Sequence, residues 1–160
     1  LKFWNTKRLS RAKEINLTPI QVTILASIVN KESLIKEERP IIAGVYINRI
    51  NKKIKLQADP TVIYSIKERD KNYEKIIKRV FFKDLNIDSK YNTYRYYGLP
   101  PGPICMPDIS SIDAVLNYNT HNYLYFVANP NKPGYHSFST NLREHNNHRR
   151  VYLKWLRKKK

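Results

Sequence analysis

Between residues 18 and 36 the hydrophobic pattern predicts an amphipathic helix that carries one acidic residue within its apolar arc. Thr18 can cap this helix, Pro19 suits its first turn, and Gln21 can complete a capping box. Apolar side chains then recur at helical spacing, and Glu32 falls in the middle of them. The opposite face is predicted to carry polar side chains at Thr23, Ser27, Asn30 and Glu37.

Glu32 is therefore the most informative position in the chain. A carboxylate on a core-facing stripe costs several kcal/mol of stability unless it is paired or protonated. Its position leaves two interpretations open. Glu32 is either a carboxylate at a groove edge or beside a buried cation, or a general acid whose pKa is raised by desolvation.

Helix start signals recur along the rest of the chain. Asp59 and Pro60 form a cap-plus-proline start, and Asn141 with Glu144 forms a capping box. Further helices are predicted at 3–13, 40–52, 61–68, 110–117 and from residue 141 onward. A lysine-rich amphipathic segment is predicted with an apolar stripe at Tyr73, Ile76, Ile77 and Val80.

The region from 91 to 108 differs, because its glycines and prolines at 98–103 exclude a helix. Residues 123–128 have the content of a strand, and a turn at 129–134 leads to a second strand at 135–139. The sequence thus predicts one α+β domain over residues 1–160, with a helical catalytic segment, a short antiparallel hairpin and a C-terminal helix.

A net charge of +17 indicates an anionic partner, such as nucleic acid, anionic lipid or an acidic wall polymer. The twelve tyrosines could stack on nucleic-acid bases or on sugar rings. No helix-turn-helix, RNA-recognition or zinc-finger spacing is present, so nucleic acid is not the expected partner.

Other chemistries have little support in the sequence. Cys105 is the single cysteine, so no internal disulfide can form. His145 and His148 lack the accompanying residues of a metal motif and are expected on a solvated helix face. No metal or cofactor is predicted. The chain opens on Leu1, and we expect it to be a part of a longer protein.

Seven motifs occur in order at residues 25–32, 42–49, 56–64, 91–94, 98–104, 123–128 and 136–140. Together they span about residues 20–147 and resemble the catalytic domain of the YceG-like family of endolytic murein transglycosylases. The family pattern has two glutamates near the end of the first motif. Here the first of them is Asn30, so the role of catalytic acid falls to Glu32.

The resemblance implies cleavage of the β-1,4 bond between MurNAc and GlcNAc in peptidoglycan without water, leaving a 1,6-anhydro-MurNAc end. Glu32 would act first as acid and then as base, and no cofactor is needed. The candidate residues for holding the glycan are Gln57, Asp59, Tyr64, Asn92 and Tyr94.

The resemblance also implies a periplasmic or outer-face location, with peptidoglycan strands and wall-synthesis enzymes such as penicillin-binding proteins as partners. Contact with the membrane is expected only through a preceding N-terminal helix. Two alternatives stay open. One is a basic glycan- or nucleic-acid-binding module without catalysis, and the other is a hydrolase with Asp59 or Glu37 as second carboxylate.

Overall fold

The computed structural model describes residues 3–159, which form helices and one two-stranded antiparallel sheet. The α-helices are α1 (Thr6–Glu14), α2 (Pro19–Glu32), α3 (Arg39–Asn51), α4 (Asp59–Arg69), α5 (Ile109–Leu116) and α6 (Leu142–Lys158). The strands are β1 (Tyr125–Ala128) and β2 (His136–Ser139), and short 3-10 helices lie at Lys36–Glu38 and Phe82–Asn86. The predicted α+β class and C-terminal helix are confirmed. No helix within residues 3–159 is both long and apolar enough to span a bilayer.

Helix α2 is the centre of the core, packed between α3 and α5. Its start follows the prediction, since the Gln21 N–H donates to Thr18 Oγ1 at 3.2 Å and the Thr18 N–H donates to Gln21 Oε1 at 2.9 Å. The polar face predicted at Ser27 is wrong. Ser27 is fully buried, because the loop before α5 covers that side and the Ile104 N–H donates to its hydroxyl at 3.0 Å.

Helix α2 ends at Glu32, four residues earlier than the pattern predicted. Ser33 is extended, and its hydroxyl accepts the Ile35 N–H at 3.0 Å. This local bond gives the backbone an alternative to another helical turn. Glu32 is therefore the last residue of its helix and not a mid-helix position.

Helix α3 is anchored by a buried arginine at its first position. The guanidinium of Arg39 bonds to the Ser33 carbonyl at 3.0 Å and to the Asp108 carboxylate at 2.8 Å. Asp108 also caps α5, so this ion pair ties α2, α3 and α5 together. Farther along α3, Gly44 allows residues 119–121 to pass close by, since a Cβ there would lie 2.5 Å from the Asn119 carbonyl oxygen.

The hairpin packs against α6 and is tied back to the helices by one buried acid. Its register pairs Tyr125 with Ser139 and Ala128 with His136. The Glu38 carboxylate accepts the His136 N–H and also contacts the ring Nδ1, each at 2.7 Å. The hairpin is thereby held in a fixed position beside α3.

Three start or segment predictions need correction. The lysine-rich segment with its stripe at 73–80 is not helical: Tyr73 and Ile76 of the stripe stay exposed, and a short amphipathic helix is unstable unless its apolar face is covered. Asp59 does not cap α4, because Ala58 is the N-cap and makes no side-chain bond. Asn141 does cap α6, since its side chain accepts the Glu144 N–H. The predicted capping box is not completed, because the Glu144 carboxylate accepts the Thr140 N–H and not the Asn141 N–H.

Candidate active site

An open cavity of about 280 Å³ lies where the end of α2, the start of α4, β1 and the start of α6 meet. Four of the residues predicted as site residues line it, namely Glu32, Gln57, Asp59 and Tyr94. Two polar residues from α3, Tyr46 and Arg49, complete that part of the wall. The fold thus gathers side chains from distant parts of the chain around one acid.

Glu32 is partly buried at the wall of this cavity. Burial raises the pKa of its carboxyl to about 7, a hydrogen bond from Tyr46 works against that rise, and the charge of Asp59 adds to it. Its place at the C-terminal end of α2 also disfavours a negative charge, because the helix dipole is negative there. Near neutral pH a substantial fraction of Glu32 therefore carries a proton.

Tyr46 fixes the orientation of that carboxyl. Its hydroxyl donates a hydrogen bond to Glu32 Oε1, and its side chain is only 2 % exposed. The ring packs edge-on against Phe126 of β1 at 5.9 Å between centroids. Burial and the charge of Glu32 raise the pKa of Tyr46 well above its ordinary value, so it stays a hydrogen-bond donor.

Asp59 and Tyr94 form a second polar pair in the same cavity. The Tyr94 hydroxyl donates to Asp59 Oδ1 at 2.6 Å. Burial first, and then this bond, raise the pKa of Tyr94. Asp59 is exposed to solvent and lies in the first turn of α4, where the helix dipole favours a negative charge.

Gln57 occupies a left-handed backbone conformation with φ of 51°. Thr93 stabilises this turn, since its carbonyl accepts the Gln57 N–H at 3.1 Å and its hydroxyl accepts the Ala58 N–H at 3.0 Å. The Gln57 side-chain oxygen accepts from Arg49 Nη1 at 3.3 Å. The turn thus carries Gln57 into the cavity wall.

Comparison with known proteins identifies the class to which this arrangement belongs. Residues 2–151 match the model of the YceG-like family. The chain belongs to this family. Its resemblance at the level of motifs is thereby confirmed.

Individual relatives agree with the family model. The endolytic murein transglycosylase of Bacillus subtilis is 40 % identical over 145 residues, covering 90 % of this chain and 38 % of the relative. The Streptococcus pneumoniae D39 protein of the same name is 37 % identical over 119 residues, covering 74 % of this chain and 21 % of the relative. The chain therefore spans well under half the length of these relatives.

A solved structure of a YceG-like protein from Listeria monocytogenes has the same fold. It matches with a TM-score of 0.75 and 36 % sequence identity. The match covers 89 % of this chain and 43 % of that protein.

Two of the predicted site residues do not line the cavity of this YceG-like domain. Asn92 is fully buried, and its amide donates to the carbonyls of Leu85 and Ile87 at 2.9 and 2.8 Å. Tyr64 packs its ring against Tyr91 at 4.6 Å between centroids. Asn92 also accepts the Tyr94 N–H at 3.0 Å, so its contact with the cavity is indirect. Direct glycan contact by Asn92 or Tyr64 gains no support from this placement.

Sequence reasoning missed four polar residues of the cavity wall, namely Tyr46, Arg49, Tyr125 and His145. Arg49 is 6 % exposed, donates to the Leu124 carbonyl at 2.6 Å and lies 4.9 Å from the Tyr125 ring. The sequence did carry a signal for Arg49, because a charged residue lies there among the apolar residues of α3, as Glu32 does on α2. Tyr125 and His145 had no such signal, because only the packing of α6 on β1 brings them to the cavity.

The expectation of a solvated face for both histidines of α6 is wrong. His145 stacks on Tyr125 at 5.2 Å between ring centroids, and burial with the neighbouring Arg149 charge lowers its pKa. His148 contacts the Ser139 hydroxyl at 2.9 Å. The amphipathic pattern of α6 did not show this, because the hairpin that covers it comes from elsewhere in the chain.

The other candidate chemistries lie outside the cavity. Glu37 is exposed and does not line it. Burial raises the pKa of the Cys105 thiol, whose sulfur contacts the Ser27 carbonyl at 3.4 Å. Among residues 3–159 no three His, Cys, Asp or Glu side chains are grouped as metal ligands. Asp59 is thus the one other described carboxylate that lines the cavity beside Glu32.

Proposed function

We propose that this domain is a lytic transglycosylase that cleaves the β-1,4 bond from MurNAc to GlcNAc in peptidoglycan. One observation carries the proposal: a carboxyl group with a pKa of about 7 stands at the wall of an open cavity, hydrogen-bonded to a buried tyrosine. The relatives from Bacillus subtilis and Streptococcus pneumoniae are named endolytic murein transglycosylases, which supports the same reaction.

In the first step the protonated Glu32 carboxyl acts as general acid. Its proton passes to the glycosidic oxygen while the bond from that oxygen to muramyl C1 breaks. The GlcNAc fragment leaves with a new hydroxyl, and positive charge develops at C1 and the ring oxygen. A pKa near 7 suits this step, because an acid works best when its pKa lies near the working pH.

In the second step the Glu32 carboxylate acts as base. It accepts the proton of the muramyl C6 hydroxyl as that oxygen forms a bond to C1. The product is a 1,6-anhydro ring, no water is consumed, and Glu32 ends protonated as it began. One carboxyl group suffices because the substrate supplies the attacking oxygen, whereas glycoside hydrolases use two.

The neighbouring side chains have separate roles in this proposal. Tyr46 holds the Glu32 carboxyl in one orientation through its hydrogen bond. Asp59 is the second carboxyl group of the cavity wall, placed to stabilise the developing positive charge, and the Tyr94 hydroxyl donates to it at 2.6 Å. Gln57 offers an amide to the hydroxyl and acetamido groups of the sugars.

The cellular setting of the domain is part of the same proposal. Peptidoglycan strands are the partner, and their stem-peptide carboxylates suit a chain with net charge +17. We place the domain in the periplasm or on the outer face of the cytoplasmic membrane, near wall-synthesis enzymes such as penicillin-binding proteins.

A hydrolase is the second candidate, favoured by the presence of Asp59 in the same cavity as Glu32. In that reaction Asp59 would activate water or form a covalent glycosyl intermediate. The products differ in mass, because a hydrolase adds one water to the reducing end and a lytic enzyme adds none.

The test is mass spectrometry of purified glycan strands after digestion by the unmodified chain and by Glu32→Gln. Anhydro ends that form only with the unmodified chain support the proposal. Glu37→Gln is the matched control, because Glu37 is exposed and lies outside the cavity. Reducing ends would establish the hydrolase. Strand binding that is lost at high salt, without cleavage and equal in both proteins, would establish a binding module.

A further inference from the structure

Residues 71–83, here called the basic loop, follow α4 and include the first two residues of the 3-10 helix at Phe82–Asn86, and none of them lines the cavity. Large apolar side chains on this loop face solvent: Tyr73 is 53 % exposed, Ile76 83 %, Phe81 54 % and Phe82 86 %. Single exposed apolar residues are common, but a group within ten residues marks an interaction surface.

Cationic side chains alternate with these apolar residues. The cationic residues of the loop are Lys71, Lys75, Lys78, Arg79 and Lys83, and Glu74 is its one acidic residue. Asp70, just before the loop, is paired with Arg69 at 2.8 Å and with Lys75 at 2.6 Å. Lys71, Lys78, Arg79 and Lys83 therefore place exposed cationic groups beside the exposed apolar side chains.

One bond ties the start of the basic loop to α4, and a local turn orders its end. Lys67 Nζ donates to the Tyr73 carbonyl at 2.9 Å, and the Phe81 N–H donates to the Asp84 carboxylate at 2.8 Å. The Arg79 guanidinium lies 5.5 Å from the centre of the Phe81 ring. The exposure of Ile76 and Phe82 thus belongs to a loop whose start is tied to α4 and whose end is ordered by a turn.

We propose that the basic loop docks on the surface of an anionic lipid bilayer. Ile76 and Phe82 would enter the headgroup region, while the lysines contact lipid phosphates. An acidic polymer could neutralise the lysines, but it has no apolar phase to receive these two side chains. The combination of charge and exposed apolar area therefore favours lipid.

Docking at this loop would also orient the cavity. Asp59 at the start of α4 lines the cavity, and Arg69 at its end adjoins the basic loop. The two ends of this helix of 11 residues are about 16 Å apart, so the loop and the cavity lie at opposite ends of α4. This inference does not depend on the proposed reaction.

The test is co-sedimentation of the chain with vesicles of pure phosphatidylcholine and with vesicles that also contain phosphatidylglycerol. We expect binding to the anionic vesicles alone, and a loss of about tenfold for each of Ile76→Ser and Phe82→Ser. The matched control is Leu34→Ser with Met106→Ser, which are 89 % and 91 % exposed but lie outside the loop. The control should bind as the unmodified chain does.

A charge series separates the basic loop from the general charge of the protein. Lys78→Gln and Lys83→Gln should each weaken vesicle binding about fivefold. Lys52→Gln with Lys53→Gln removes the same charge on another surface and should have a much smaller effect. If the changes at Lys52 and Lys53 weakened vesicle binding as much as those at Lys78 and Lys83, binding could not be assigned to the basic loop.

Three further results would overturn the proposal. The first is absence of binding to anionic vesicles. The second is tighter binding to a soluble acidic polymer that Ile76→Ser and Phe82→Ser leave unchanged. The third is concentration-dependent self-association that these variants abolish, which would assign the surface to a second copy of the chain.

Discussion

Two carboxyl groups line the same cavity, but the fold places them in different environments. Glu32 is the last residue of α2, partly buried and hydrogen-bonded to Tyr46, and its pKa is raised to about 7. Asp59 lies in the first turn of α4, is exposed and accepts the Tyr94 hydroxyl. Burial and the helix dipole both favour the neutral form of Glu32, whereas Asp59 is exposed to solvent at the positive end of its helix.

The contrast shows how one cavity can hold an acid and an anion side by side. Neighbouring carboxyl groups differ in protonation when their environments differ, and that difference assigns their roles. Glu32 is suited to donate a proton, and Asp59 is suited to stabilise positive charge. The following predictions test this division of roles.

The largest expected effect is that of Glu32→Gln. An amide cannot donate a proton to the glycosidic oxygen, so we expect the rate of anhydro-end formation to fall by about 10³-fold or more. Thermal unfolding should show a folded protein, because the amide has nearly the same shape. A rate near that of the unmodified chain would remove Glu32 from the mechanism.

The protonation of Glu32 should also make stability depend on pH. Its folded pKa, about 7, lies above the unfolded value of 4.5, so the folded state binds the proton more tightly. The stabilisation is complete below pH 4.5 and is lost as the pH rises through 7. We expect the free energy of unfolding to fall by about 3 kcal/mol over that window. Denaturant unfolding at several pH values measures this slope, and Glu32→Gln should lack it.

Asp59→Asn should have an intermediate effect on activity. Loss of one stabilising charge corresponds to about 10- to 100-fold in rate. The substitution also removes a charge that raises the pKa of Glu32, so the alkaline limb of the pH–rate profile should move to lower pH. A loss as large as that of Glu32→Gln, together with reducing ends in the unmodified enzyme, would favour the hydrolase and erase the contrast.

Tyr46→Phe should change the pH profile more than the maximal rate. Its hydrogen bond lowers the pKa of Glu32, so removal of the hydroxyl should raise that pKa above 7 and move the alkaline limb to higher pH. Loss of one buried hydrogen bond should cost about 1–3 kcal/mol of stability. A general packing defect would lower the rate at every pH without moving the limb.

Tyr64→Phe should have the smallest effect. Its ring packs against Tyr91 and does not line the cavity, so we expect a rate within about twofold of the unmodified chain. Strand-binding affinity measured in parallel gives the sharper comparison. A large loss of affinity would show that the glycan extends beyond the cavity to Tyr64.

Local signals in the sequence predicted much of this architecture. The cap at Thr18, the proline starts of α2 and α3 and the hairpin follow from short-range chemistry, and the structure contains them. The segment at 73–80 was predicted as amphipathic but is not helical, because amphipathic spacing stabilises a helix only where another element covers its apolar face.

The residues of the site also differ in whether local sequence signals could identify them. Glu32 could be found from the sequence, because helical periodicity alone placed a charge among apolar residues. Its partner Tyr46 was not found in this way, because the bond between them depends on how α2 and α3 pack. Asn92 and Tyr64 show the converse, since their residue types suit glycan binding while their contacts lie elsewhere.

The sequence by itself determined the helix start signals, the α+β order of elements, the family and the unusual position of Glu32. Only the tertiary structure decided that Asp59 and Tyr94 line the same cavity as Glu32, and that Arg49, Tyr125 and His145 complete its wall. The reason is the distance along the chain over which each interaction acts. Periodicity and capping act over a few residues, whereas a cavity wall and the pKa of its acid depend on groups brought together from distant parts of the chain.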